Sequence, residues 1–144
     1  VLSRRGQAVD LTRDHKPNDE REKARIRAHG EEVQWDPYGQ VYRVRDLSLS
    51  RAIGDRFAKP AVSSEAEIKH FPLNDPEDEF ILLASDGLWD VMTSQEVVDY
   101  VHECLRNSMD DPTLATGETK AHELFKQKMA RSVANEALER GSAD

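Results

Sequence analysis

The clearest apolar run in the chain is Phe80-Ile81-Leu82-Leu83-Ala84, and it stops abruptly at Ser85-Asp86-Gly87-Leu88-Trp89-Asp90-Val91. An uninterrupted apolar stretch of this length predicts a strand covered on both faces. Upstream, Val1-Leu2-Ser3 and Gln7 to Leu11 read as two strands around a turn at Arg4-Arg5-Gly6. Asn18 to His29 predicts a short charged helix, with Asn18 as its cap, acids early, arginines late and Gly30 as its stop. Val33-Gln34-Trp35 and Val41 to Val44 flank the turn Asp36-Pro37-Tyr38-Gly39. Ser48 to Asp55 is compact and semi-apolar, and Glu67 to Phe71 alternates as a surface strand does. Pro72 to Glu79 predicts an acidic loop.

Thr93-Ser94-Gln95-Glu96 has the spacing of a capping box. Behind it Val97, Val98, Val101 and Leu105 share one helical face. A polar loop over 106–119 leads to a long helix from about Lys120 to Arg140, with Ala121, Leu124, Phe125, Val133, Ala134 and Ala137 near one side. Strands come first and long helices last, an α+β order rather than alternating βαβ units.

The 144 residues suit one domain or part of a larger one. Because the first strand begins at residue 1, the sequence reads as cut inside an element. Charged residues make up 33% of the chain, above the usual quarter, so the surface is large for the core or partner segments lie elsewhere. The net charge of −8 argues against a nucleic-acid backbone as partner, since that affinity rests on basic patches. An anionic substrate would need local neutralisation by a metal ion or by arginines. With Cys104 alone, no internal disulfide forms, and a reducing, intracellular setting (cytoplasmic or nuclear) is the expectation. No run is long enough to span a bilayer, and no signal peptide is visible.

Asp86 and Asp90 are the first candidates for chemistry. Ionised carboxylates accept only, and suit hard cations such as Mg²⁺ or Mn²⁺. Magnesium keeps several waters, so a few acids from distant segments suffice. The competing reading is that Asp86-Gly87 is a hairpin turn between two apolar strands. Trp89 is a core aromatic under either. Asp144, after Gly141-Ser142-Ala143, looks like a third carboxylate of the same kind. His15, between Asp14 and Lys16, reads as an acid–base group or as a turn residue. Arg51, before Ala52-Ile53-Gly54-Asp55, reads as an anion contact or as part of a helix with a glycine stop. The other histidines lack zinc spacing.

Several blocks together resemble the metal-dependent, PPM-type (type 2C) protein serine/threonine phosphatases. They are Leu11 to Pro17, Glu22 with Arg25-Ile26 and Gly30, Leu49 to Asp55, Glu65 to Ile68, Phe80 to Met92, and Gly141 to Asp144. They run in the family's order over nearly the whole chain, with Ser85 to Val91 at the centre. The resemblance implies a four-layer α-β-β-α sandwich with antiparallel sheets flanked by helices. It makes Asp86 and Asp144 ligands of a binuclear Mg²⁺ or Mn²⁺ centre and Asp90 a ligand of a weaker third ion. His15, Arg25 and Arg51 match fold-supporting positions, with a phosphate contact the lesser alternative for Arg51. The implied reaction is hydrolysis of phosphoserine and phosphothreonine in phosphorylated proteins by metal-activated water, with no protein nucleophile.

The family's earlier blocks are not in this sequence: the first acidic pair, Asp-Gly-His, the phosphate-binding arginine and the general-acid histidine. The asparagine after Asp144 and the closing strand are lacking too. Glu31 replaces one of a glycine pair, and Asp46 replaces a glycine. Residues 1–144 therefore read as the C-terminal part of a phosphatase domain, without its N-terminal half and final strand, and inactive alone. The alternatives are a non-catalytic pseudo-phosphatase serving as a binding module, and an acidic calcium-binding or adaptor domain, which lacks the dense ligand spacing of an EF-hand. The oligomeric state is not legible.

Overall fold

The computed structural model describes residues 1–73, 76–108 and 119–143, with the backbone alone at 108 and 119–126. Asp144, the predicted loop at 109–118 and the side chains of Ala121, Leu124 and Phe125 lie outside the described residues, as do Asn74 and Asp75 of the predicted acidic loop. Helices and antiparallel sheets coexist, and the chain divides into two units, 13–70 and the remainder.

The first unit is built on a three-stranded antiparallel sheet. Strands β1 (Leu2–Arg4) and β2 (Gln7–Val9) form the predicted hairpin, pairing Leu2 with Val9 and Arg4 with Gln7. Arg5 and Gly6 both take positive φ, 52° and 72°, the two-residue turn whose twist suits a tight hairpin. Strand β5 (Asp78–Ile81) pairs with the other side of β1, giving the order β2-β1-β5. Glu79 pins the assembly: its Oε2 accepts from the Ser3 hydroxyl at 2.5 Å and the Gly6 N–H at 3.0 Å, and lies 3.0 Å from His102 Nε2.

Helix α2 (Asp86–Trp89) follows, and then α3 (Ser94–Ser108) and α4 (Thr119–Glu139). The capping box forms as predicted. The Glu96 carboxylate accepts from the Thr93 N–H at 2.8 Å, and Thr93 Oγ1 accepts from the Glu96 N–H at 3.3 Å. Gln95 then ties α3 to the hairpin, accepting from the Ala8 N–H and donating to the Gly6 carbonyl, both at 2.9 Å. Leu88, Met92, Val97 and Val101 form the core with Val133 and Ala137 of α4. At its end α4 turns through Gly141 (φ +96°), where the Ser142 N–H reaches back to the Ala137 carbonyl at 3.0 Å.

The structure corrects the expected burial of the strand after residue 79. Phe80 and Leu82 pack on the core, whereas Ile81 is 48% exposed and Leu83 87% exposed. The strand is also shorter than the apolar run, ending at Ile81. Only β1 borders it among the described residues, and helices cover one face, so the pattern in space alternates although the sequence does not.

In the second unit, α1 (Glu20–Ala28) begins at Asp19, whose carboxylate accepts from the Arg21 and Glu22 N–H groups, one residue after the predicted cap. It closes at Gly30, with the Glu31 N–H on the Ile26 carbonyl at 3.3 Å. Strands β3 (Gln34–Asp36) and β4 (Val41–Arg43) form the second predicted hairpin. Asp36 Oδ1 accepts from the Tyr38 and Gly39 N–H groups and so shapes the turn. Ile26, Val44, Ala58, Ala61 and Val62 form this unit's core. The expected surface strand at Glu67 to Phe71 is absent: the segment is exposed and pairs with no strand. Alternation provides a face but not a neighbour, and a strand needs both.

Candidate metal centre

The segment from Leu82 to Asp90 converts a strand end into one turn of helix. Leu82 is held by a reciprocal pair of bonds with Val1: its N–H donates to the Val1 carbonyl at 2.9 Å, and the Val1 amino group donates to its carbonyl at 3.0 Å. A single turn is unfavourable on its own. Here Leu88 anchors it in the core, and the Leu88 carbonyl receives both the Val91 and Met92 N–H groups. Asp86 opens the turn and Asp90 caps it, the Asp90 N–H donating to the Asp86 carbonyl at 2.8 Å. The Asp-Gly pair thus starts a helix, which rules out the hairpin-turn reading.

Positions four apart on a helix bring their Cβ atoms to on the order of 6 Å. Both carboxylates are exposed, and neither has a hydrogen-bond or ion-pair partner among the described residues. Two unengaged oxygen donors on one anchored turn fit part of a magnesium or manganese site, because such an ion keeps several waters. No group of three or more metal-binding side chains occurs among the described residues, so these two do not form a closed cage. Trp89, between them, donates its indole N–H to the Ala84 carbonyl at 3.0 Å. The sequence alone gives Trp89 a packing role. It does pack on the core, but a lone tryptophan carries no local signal for where its N–H goes.

Beside this turn lies a recess of about 350 Å³, lined by Ser85, Gly87 and Leu88 together with Ala134, Ala137 and Ser142. The segment leading to Asp144 therefore shares a recess with the neighbours of Asp86. Asp144 itself lies outside the described residues.

The other residues singled out from the sequence belong to the scaffold of the second unit. Glu22 is buried, with its side chain 1% exposed. Its carboxylate accepts from Arg51 Nη2 at 2.6 Å, Arg25 Nη2 at 2.9 Å and the Ser50 hydroxyl at 2.8 Å. Burial pushes this carboxyl up, yet the bonds from Arg51, Arg25 and Ser50 prevail and lower it to about 2. Arg25 also reaches the carbonyls of Ala61 and Ser50, each at 2.7 Å. His15 accepts through its carbonyl from the Ser50 N–H at 2.8 Å, and its Nε2 lies 3.3 Å from Glu67. Arg51 is thus occupied by an acid rather than open to an anion. A wider recess of about 710 Å³ in this unit runs past Trp35, but its arginines are paired, Arg43 with Asp36 at 2.8 Å and Arg45 with Glu31.

The sequence profile described as Protein phosphatase 2C matches residues 1–144. The chain belongs to the protein phosphatase 2C family. Among its relatives, probable protein phosphatase 2C 6 of Oryza sativa subsp. japonica is 40% identical over 149 residues, covering 100% of this chain and 31% of that protein. Protein phosphatase 1G of Rattus norvegicus is 39% identical over 139 residues, covering 90% of this chain and 25% of that protein. Among solved structures, a C. elegans sex determining protein superposes with a TM-score of 0.79 at 29% identity, over 99% of this chain and 31% of that one. A phosphatase from Toxoplasma gondii shares the fold, with a TM-score of 0.66 over 41% of its length. The chain thus spans well under half the length of these protein phosphatase 2C relatives. No helix among the described residues is long and apolar enough to cross a membrane.

Proposed function

We propose that this chain is the C-terminal part of the catalytic domain of a metal-dependent protein serine/threonine phosphatase, acting on phosphoserine and phosphothreonine in proteins. Asp86 and Asp144 hold the binuclear Mg²⁺ or Mn²⁺ centre, and Asp90 holds a weaker third ion. The observation that carries the reading is the anchored turn presenting two carboxylates with no described protein partner, in a chain of this family. The shared recess of Ser142 with Ser85 and Gly87 supports the inclusion of Asp144. When bound, the ions supply an activated water and neutralise phosphoryl oxygens. The chain's own part is to hold Asp86 and Asp90 at the solvent edge, backed by Leu88 and Trp89. The net charge of −8 agrees with a protein that meets a phosphate through cations instead of through basic side chains.

The test is hydrolysis of a phosphothreonine peptide by the full-length protein with Mn²⁺. EDTA is expected to abolish turnover, and Asp86→Asn to lower kcat by about a hundredfold or more. Turnover unchanged by either treatment defeats the proposal. Mn²⁺ binding without any turnover replaces it with the non-catalytic module.

A further inference from the structure

Helix α2 is poorly equipped to hold itself. It has four residues, and Ser85 at its N-cap makes no side-chain capping bond. Nucleation theory gives so short a helix no independent stability. Two side chains attach it instead: Leu88, buried in the core, and Trp89, whose indole N–H donates to the Ala84 carbonyl at 3.0 Å. Ala84 lies two positions before Asp86, and Trp89 directly precedes Asp90. The bond therefore closes the chain on itself around Asp86, at the base of Asp90. The Trp89 ring is already partly immobilised by packing on the core, so the bond orders little that is not ordered already. Ala84 is exposed, so water can satisfy its carbonyl if the indole donor is removed. Losing the bond thus costs little fold stability. It does free the loop that sets the direction of both carboxylates, and ion affinity depends on that direction being fixed in advance.

We propose that Trp89 is a positioning residue for divalent-ion binding: its indole N–H, through the Ala84 carbonyl, fixes how Asp86 and Asp90 are presented. This inference rests on reading those two aspartates as metal ligands. Its test is Mn²⁺ binding by the full-length protein, read from the electron paramagnetic resonance of the free ion, with melting in EDTA measured alongside. The variants are Asp86→Asn, Trp89→Phe, and replacement of Trp89 by benzothienylalanine, which keeps the bicyclic shape but has sulfur in place of the N–H. Both Trp89 replacements are expected to weaken Mn²⁺ binding about tenfold, with melting in EDTA within about 3 °C of the unsubstituted protein. If benzothienylalanine supports full affinity while Asp86→Asn loses the ion, the positioning role is overturned and the metal reading stands. If the unsubstituted protein binds no Mn²⁺, or Asp86→Asn binds it normally, both fall. Weakened binding accompanied by a large drop in EDTA melting for both Trp89 replacements assigns the residue to packing and overturns the proposal.

Discussion

Glu22 lies where burial opposes its charge, and three donors outweigh that opposition. Removing one member of such a group leaves the arginines facing a buried site without their counter-charge. Glu22→Gln is expected to destabilise the protein by about 3 kcal/mol, measured by urea denaturation. The pH dependence follows from the depressed carboxyl. Its contribution is complete above its ordinary value of 4.5 and is lost as pH falls through about 2. The urea midpoint of the unsubstituted protein should therefore fall across that window, and the Glu22→Gln variant should lack that part of the slope. The family resemblance marks Arg25 and Arg51 as fold-supporting, but local pattern conceals that Glu22 is what they hold. In a helix as charged as 18–29, an acid three residues before Arg25 looks like a solvated surface pair. What buries it is Arg51 and Ser50, distant in the chain, and no local pattern reports such partners.

At the scale of elements, the features legible in the sequence are those settled within a few residues. The capping box at Thr93 to Glu96, the turn at Asp36 to Gly39 and the hairpin at Arg5-Gly6 each contain their own donors, acceptors or glycine. Thr93→Ala is expected to cost about 1 kcal/mol, seen as a lower urea midpoint. Acid should loosen the same helix start. The Thr93 N–H and hydroxyl and then Arg140 hold the Glu96 carboxyl at about 2, so its support is present above 4.5 and disappears as pH falls toward 2. The start of α2 at Asp86 was less legible, because Asp-Gly serves turns and helix starts alike and the choice is made by Leu88 reaching the core. The failures at Glu67 to Phe71 and at β5 share a cause. Strand burial depends on what lies alongside, and sequence pattern is silent about neighbours.

At the scale of the whole molecule, the chain matches only part of the length of its protein phosphatase 2C relatives, and large apolar side chains lie exposed in both units. Ile53 is 95% exposed in one unit, and Leu83 is 87% exposed in the other. The 144-residue polypeptide by itself is expected to hydrolyse no phosphopeptide in Mn²⁺ and to enhance the fluorescence of an apolar dye. Robust turnover that Asp86→Asn abolishes would show instead that these residues are sufficient. The family was readable because its blocks are short, ordered and spread over the sequence. A full set of metal ligands is not readable in this way, because acids that could share an ion need not be near in the chain.

The outer border of β5 has a further consequence, in the cell rather than in the test tube. Among the described residues its backbone donors and acceptors on the side away from β1 meet no strand, and Phe80 and the half-exposed Ile81 follow two acids along it, which leaves a template on which stray extended segments can accumulate. Cells made to produce the 144-residue polypeptide by itself should therefore hold much of it in aggregates. Leu83→Lys, a gatekeeper charge at an already solvent-facing position, should raise the soluble yield while shifting unfolding by no more than about 0.5 kcal/mol.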